Sequence, residues 1–126
     1  MKAAQVTDVA LQLCNLMRFC HSAGVFHGNL KPQNVLFFSR ERKTVKVTDF
    51  AVAAVKEAAS ADVKGLGRVV YFLLTGKETL ESLDDVPVPW REFVKHTLAA
   101  TQEERWTLRQ VLNYLLKSVE LAFKSP

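Results

Sequence analysis

A chain of 126 residues with 48% hydrophobic and 24% charged residues has the size and composition of one ordinary soluble globular domain. No apolar run approaches the roughly 20 residues that a bilayer span requires, and residues 1–5 carry no signal-peptide core, so we expect no membrane association. The net charge of +4 is spread along the chain. Its densest cluster, residues 40–43, contains a glutamate, which favours a solvated turn over a nucleic-acid site.

The first predicted element is an amphipathic helix. Apolar side chains recur at intervals of three and four from Val6 to Cys20, which predicts one buried face. Gly24 then predicts a left-handed stop. Cys14 and Cys20 lie six residues apart on this helix, about 600° of rotation. We therefore expect them to point to different sides and to stay reduced, as in a cytosolic protein.

A β-hairpin and a buried helix are predicted next. Residues 35–38 form an apolar run, and in residues 44–48 Val45 and Val47 alternate with polar neighbours, which predicts a hairpin with one buried face. Residues 69–74 form an apolar stretch that ends at residues 75–76. Because this stretch is apolar nearly all round, it predicts a helix packed inside the domain.

The C-terminal third is predicted to be helical. Residues 78–85 suggest one short helix, which the prolines of residues 86–89 would end. Residues 91–100 carry an amphipathic pattern. Thr107 and Gln110 fit a capping box that opens a last helix. We expect Trp90 and Trp106 to be core or half-buried packing residues.

Two motifs give the chain a family resemblance. Residues 27–34 read His-Gly-Asn-Leu-Lys-Pro-Gln-Asn, and Asp49-Phe50 follows fifteen residues after Asn34. The first resembles the protein kinase catalytic loop, H-R-D-L-K-P-x-N, and the second resembles the metal-binding D-F-G. Residues 62–67 read Asp-Val-Lys-Gly-Leu-Gly and resemble the D-x-W-S-L-G opening of the central kinase helix. The chain is thus similar to the C-terminal lobe of a protein kinase.

The resemblance also shows departures from the family pattern. Gly28 replaces the kinase Arg, Asn29 replaces the catalytic Asp, and Ala51 replaces the Gly of D-F-G. Residues 51–61 stand in place of a full activation segment and lack an A-P-E motif, and no Gly-rich loop or V-A-I-K lysine occurs. The resemblance implies a mainly α (α+β) fold over residues 1–126, a helical C-lobe with a short hairpin and no N-lobe. Within the kinase-like proteins, the pseudokinase region of ribonuclease L looks most similar.

The resemblance assigns the candidate site residues. Asn29 takes the position of the catalytic base, but its amide has no useful basicity. Lys31 would place a positive charge on a terminal phosphate, and Asn34 with Asp49 would supply oxygen ligands for Mg²⁺. Leu36 takes the position that packs beneath the adenine ring. Without the N-lobe this site is an open shelf, so we expect any Mg-ATP binding to be weak.

Other family residues are expected to have structural roles. In kinases the equivalents of His27 and Phe50 stack in an internal column anchored by the equivalent of Asp62, which requires no ATP. Arg105 resembles the kinase Arg that pairs with the A-P-E glutamate. Since that motif is missing, its partner is unassigned, with Glu57 as a candidate.

Three functions remain open at this point. We favour a pseudokinase-type lobe that is not an enzyme on its own and acts as a cytoplasmic regulatory or protein-interaction module. Its partner would be another protein or the rest of a parent protein, such as an N-lobe or flanking domain, and neither a membrane nor a nucleic acid. The alternatives are the C-terminal part of an active ATP-dependent kinase, in which Asn29 is tolerated, and a peptide-binding non-catalytic C-lobe domain.

Overall fold

Four α-helices and one hairpin make up the part of the chain that the computed structural model describes, residues 2–37, 45–47 and 56–124. The elements in chain order are helix α1 (Ala3–Ser22), strands β1 (Val35–Phe37) and β2 (Val45–Val47), and helices α2 (Lys56–Thr75), α3 (Arg91–Thr97) and α4 (Leu108–Lys124). The predicted mainly helical α+β class is confirmed. Among these described helices, none combines the length and apolar character that a bilayer span needs.

Helix α1 and the hairpin follow the sequence prediction. The predicted helical stretch lies inside α1, and Gly24 adopts a φ of 76°, the left-handed stop expected of it. The strands pair in antiparallel fashion, with Val35 opposite Val47, and both valines are buried. Residues 38, 44 and 48 of the predicted hairpin lie outside the described residues.

Helix α2 is longer and more polar than its sequence predicted. It begins at Lys56 rather than at Asp62, so Ser60 lies inside a helix and not in an activation-type loop. Val63, Leu66 and Val70 are buried, yet Lys64 is exposed. The predicted apolar run, residues 69–74, is buried or half-buried throughout, and the exposed Lys64 lies ahead of it.

Glycine permits a close approach between α2 and the loop after α1. A Cβ atom on Gly65 would lie 2.6 Å from both the Cβ and the carbonyl oxygen of Leu30, which is buried. Any larger residue at position 65 would push the loop away from the helix. Gly67 meets Thr97 of α3 in the same way, so two glycines on α2 permit close packing on two neighbours.

The C-terminal third differs from its prediction in detail. The predicted helix over residues 78–85 is a single 3-10 turn at Leu83–Asp85, and a second turn covers Val88–Trp90. Helix α3 ends at Thr97, three residues early. The capping box is confirmed. The backbone N–H of Thr107 donates to Gln110 Oε1 over 2.9 Å, and the backbone N–H of Gln110 donates to Thr107 Oγ1 over 3.3 Å.

The core lies where α1 packs on both α2 and α4. It contains buried side chains from all three helices, including Leu13, Met17, Leu66 and Leu115. A second, aromatic cluster joins α3 to α4. In it Phe93 contacts the rings of Trp90, Trp106 and Tyr114 at centroid distances of 5.3, 6.3 and 5.4 Å. Trp90 is buried and Trp106 half-buried, as predicted.

The two cysteines are free thiols, as predicted. Cys14 is buried on α1, and its Sγ lies 3.7 Å from the carbonyl oxygen of Leu108. Burial raises the pKa of the Cys14 thiol from 9.0 to about 11. Cys20 is half-buried. Its pKa is raised mainly by burial and to a smaller extent by the negative charge of Asp62. Both thiols are therefore protonated near neutral pH.

Candidate functional site

The loop that begins at His27 is fixed to helix α2 by one buried carboxylate. Asp62 is fully buried, and its two oxygens accept the backbone N–H groups of His27 (2.9 Å, Oδ2) and Gly28 (2.8 Å, Oδ1). Oδ2 also lies 2.8 Å from Nε2 of His21, near the end of α1. A buried carboxylate is tolerated when donors surround it in this way. Asp62 thus joins α1, the loop and α2 at one point.

Hydrogen bonds inside the loop fix its path. The Asn29 N–H donates to His27 Nδ1 over 3.0 Å, so Nδ1 is the unprotonated ring nitrogen. The side-chain amide of Asn34 donates to the carbonyl oxygen of Asn29 over 2.8 Å. A 3-10 turn, Pro32–Asn34, closes the loop, with the Asn34 N–H on the carbonyl oxygen of Lys31. The loop is therefore held by its own retained residues.

The structure brings three of the predicted site residues together in this loop. The side chain of Asn29 is exposed, that of Lys31 is half-buried, and that of Asn34 is buried. Leu36 lies on β1, two residues later. Asp49 lies outside the described residues, as does Phe50, so the predicted pairing of Asn34 with Asp49 stays a prediction.

The described residues supply some of the groups that phosphoryl transfer requires. That reaction needs a group that orients and deprotonates the attacking hydroxyl, together with cations that offset phosphate charge. Lys31 supplies a cation and Asn34 an amide group. Asn29 supplies an amide at the base position, and loss of a general base costs about 10²–10⁴ in rate. No group of three or more His, Cys, Asp or Glu side chains in the described ranges is placed to hold a metal.

Arg105 has partners that the sequence did not indicate. Its Nη1 donates to the carbonyl oxygen and the hydroxyl of Ser60, over 3.2 and 3.0 Å, and its Nε and Nη2 donate to the carbonyl oxygen of Ala99, over 3.2 and 3.0 Å. The side chain of Glu57, the predicted candidate, lies outside the described ones. All these acceptors are neutral, so the positive charge of Arg105 is not compensated by them.

Comparisons with known proteins agree with this geometry. The family model described as "Protein kinase domain" matches residues 1–72. The chain is 28% identical to CDPK-related kinase 5 of Arabidopsis thaliana over 152 residues, which cover 84% of this chain and 25% of that protein. It is 45% identical to CBL-interacting protein kinase 28 of Oryza sativa subsp. japonica over 51 residues, 40% of this chain and 11% of that protein.

A solved structure shows the same fold. The crystal structure of Rad53 1-466 in complex with AMP-PNP superposes with a TM-score of 0.77 at 20% sequence identity, over 90% of this chain and 40% of that chain. The chain thus spans a quarter or less of the length of the two curated relatives named above. The alignment to CDPK-related kinase 5 is longer than this chain, so that kinase carries residues that this chain lacks.

Proposed function

The chain belongs to the protein kinase domain family, and we propose that it is a non-catalytic, C-lobe-type member that acts as a regulatory or protein-interaction module. It would bind another protein, or the rest of a parent protein such as an N-lobe or a flanking domain. Cytoplasmic localisation is part of the same proposal. Neither membrane nor nucleic-acid binding is included.

The observation that carries this proposal is the position of Asn29. Its backbone is hydrogen-bonded to His27 and to Asn34, so the loop around it is formed, while its exposed side chain is an amide where kinases have a carboxylate. A formed loop without a base orients a hydroxyl but does not accept its proton. We therefore assign the loop a scaffolding role.

The retained motif residues make contacts that stabilise the fold itself. His27 accepts a backbone hydrogen bond within the loop, and Asn34 donates one. The buried side chain of Leu30 packs against the backbone of Gly65. Each of these contacts stabilises the fold with no nucleotide present, so retention of the motif does not by itself imply ATP chemistry.

Weak Mg-ATP binding is compatible with the proposal. Lys31 would contact a phosphate, Asn34 and Asp49 would supply the oxygen ligands for Mg²⁺, and Leu36 would lie under the base. Kinases cover the nucleotide with an N-lobe, and the sequence of this chain has no Gly-rich loop or V-A-I-K lysine. An uncovered site leaves much of the ligand in water, which lowers affinity.

The runner-up function is the C-terminal part of an active kinase. The kinases among the relatives and the retained Lys31, Asn34 and Asp49 favour it. A peptide-binding non-catalytic C-lobe domain is the third reading, and similarity to the pseudokinase region of ribonuclease L stays a prediction.

Phosphotransfer by the full-length protein tests the proposal. We would incubate the wild type, Asn29→Asp and Asp49→Asn with Mg²⁺, γ-labelled ATP and a general acceptor such as myelin basic protein. The proposal predicts no label transfer by the wild type. Asn29→Asp reports whether the remaining machinery is competent, and an active protein kinase in a parallel reaction calibrates the sensitivity of the assay. Transfer by the wild type that Asp49→Asn abolishes would show an active kinase and overturn the proposal.

A further inference from the structure

Helix α2 presents two cations on one face. Lys64 and Arg68 are four residues apart, about one helical turn. The side chain of Lys64 is exposed and that of Arg68 is half-buried. Like charges at this spacing repel each other. No described carboxylate lies within ion-pair distance of either side chain. Within the described residues, this face of α2 therefore carries positive charge that no carboxylate neutralises.

The same cations line a cavity beside the loop at Asn29. This cavity of about 340 Å³ lies between that loop and α2, and the described residues around it include Asn29, Lys64, Arg68 and Arg105. The cavity therefore has three positive side chains, and none of its described lining residues is acidic. Arg105 is held in place by hydrogen bonds to Ser60 and Ala99, and both acceptors are neutral.

A second cavity continues the first along α2. It has a volume of about 330 Å³ and shares Lys64 and Arg68 with the first, but its other lining residues include the apolar or aromatic Tyr71, Leu80 and Leu98. Its acid among the described residues, Glu78, accepts a hydrogen bond from Gln33 Nε2 over 2.7 Å. We call the two cavities together the α2 groove. It is cationic at the Asn29 end and partly apolar at the Leu98 end.

The sequence supports a changed role for this face. Lys64 stands where the D-x-W-S-L-G pattern has Trp, so a charged side chain replaces a large aromatic one. The exposed ammonium group of Lys64 suits an anionic neighbour. The apolar lining of the second cavity has no use for a free inorganic anion, which favours a polypeptide with both charged and apolar side chains.

We propose that the α2 groove binds an acidic or phosphorylated peptide segment of a protein partner. The phosphate or carboxylate would lie between Lys64, Arg68 and Arg105, and a neighbouring apolar side chain would enter the half lined by Tyr71, Leu80 and Leu98. Charge-assisted hydrogen bonds from Arg and Lys suit both anions. This inference rests on the proposed interaction role and names the chemistry of the partner.

Fluorescence anisotropy on the full chain tests this inference. The probe is a fluorescein-labelled nonapeptide with one phosphoserine, two aspartates and two leucines. A second arm replaces the phosphoserine by Glu, which separates phosphate from carboxylate recognition. A neutral arm carries Ser and Asn at the charged positions. We expect both anionic peptides to bind, more weakly as salt rises, and the neutral peptide not to bind.

Two matched double variants locate the binding site. Lys64→Glu with Arg68→Glu should weaken binding at least about tenfold. The control variant, Lys95→Glu with Arg109→Glu, changes the net charge by the same amount at exposed positions on α3 and α4. It should change the peptide affinity less than about twofold. Lys64→Gln with Arg68→Gln removes the charges without reversing them, and far-UV circular dichroism checks that each variant is folded.

Several outcomes would overturn the inference. These are equal binding of the neutral peptide, an equal loss in both charge-reversal variants, or no binding of either anionic peptide. Equal competition by inorganic phosphate would show a small-anion site, and tighter binding of a 12-mer oligothymidine through Lys64 and Arg68 would show a nucleic-acid site. The phosphotransfer assay is independent of these readouts, so a failed groove leaves the non-catalytic role standing.

Discussion

Oδ2 of Asp62 accepts the backbone N–H of His27 over 2.9 Å, although 35 residues separate the two in the chain. The bond fixes the first residue of the kinase-like loop to the central helix. Oδ1 fixes the next residue, Gly28, in the same way. Both donors are main-chain N–H groups, and Gly28 adopts a φ of 84°, a conformation that glycine adopts without steric cost. The loop therefore keeps its place although Gly28 replaces the family's Arg.

Replacement of Asp62 by Asn is expected to destabilise the fold strongly. An Asn side chain has one acceptor oxygen in place of two, so the backbone N–H groups of His27 and Gly28 would lose one of the two acceptor atoms that they use. Charged hydrogen bonds and buried unpaired donors each account for about 1–3 kcal/mol, so we expect a loss of about 3 kcal/mol in urea unfolding. Asp84→Asn, at an exposed turn, is the control and should change stability by less than about 0.5 kcal/mol. Similar small losses in both variants would contradict this role of Asp62.

Gly65→Ala should destabilise the protein although alanine is the better helix former. In an open helix this change gains up to about 1 kcal/mol. Here the new methyl group would overlap with Leu30, and overpacking of this kind costs about 1–3 kcal/mol. The free energy of unfolding measures the balance, with Asn113→Ala on the exposed side of α4 as the control that should be neutral or stabilising. A stabilised Gly65→Ala variant would show that the loop does not contact α2 this closely.

Arg105 and Ser60 should be energetically coupled. Their hydrogen bonds link α2 to the segment before α4, and a net hydrogen bond contributes about 1 kcal/mol. A double-mutant cycle with Arg105→Ala and Ser60→Ala should therefore show about 1 kcal/mol of non-additivity. As a control, Arg105→Ala combined with Ser22→Ala should be additive, because Ser22 bonds Phe19 instead. Additive behaviour in both cycles would argue against the contact.

The Cys14 thiol should make stability depend on pH above 9. Burial raises its pKa to about 11 in the folded protein, against 9.0 for an ordinary thiol. The thiol's stabilising contribution is full below pH 9 and is lost as the pH rises towards 11, because the unfolded chain releases the proton first. The melting temperatures of the wild type and Cys14→Ala should therefore converge between pH 9 and 11. The melting temperatures of the wild type and Cys20→Ala should converge less, because Cys20 is less buried. A difference in melting temperature between the wild type and Cys14→Ala that stays constant from pH 9 to 11 would contradict the prediction.

Most of the fold could be predicted from the sequence, because short stretches of sequence determine most of its elements and because two motifs indicate the family. The apolar period fixes the buried face of α1, the Thr107 and Gln110 box marks the start of α4, and the loop at His27 identifies the family. The early start of α2 was missed because residues 56–61 are polar and alanine-rich, with no apolar stripe. A helix of this kind is formed by propensity and packing rather than by pattern.

The roles of the candidate site residues stay predictions. The motif gave Asn29, Lys31 and Asn34, and the structure places all three in one loop. The partners of Arg105 and the contact of His21 with Asp62 are long-range, and no spacing rule indicates them. Lys64 and Arg68 line the same cavities because of the segments that pack around α2. The sequence pattern of α2 alone does not show which segments these are.

The proposed function requires that the retained loop holds the fold together and is not an efficient nucleotide site. A thermal-shift titration with ATP, with and without Mg²⁺, on the wild type and Asp49→Ala tests it most directly. We predict a dissociation constant of about 1 mM or weaker, which at 1 mM ligand stabilises the fold by no more than about 0.4 kcal/mol. A Mg²⁺-dependent stabilisation near 2.7 kcal/mol, the value for ligand at about 100 times its dissociation constant, would contradict the claim if Asp49→Ala abolished it.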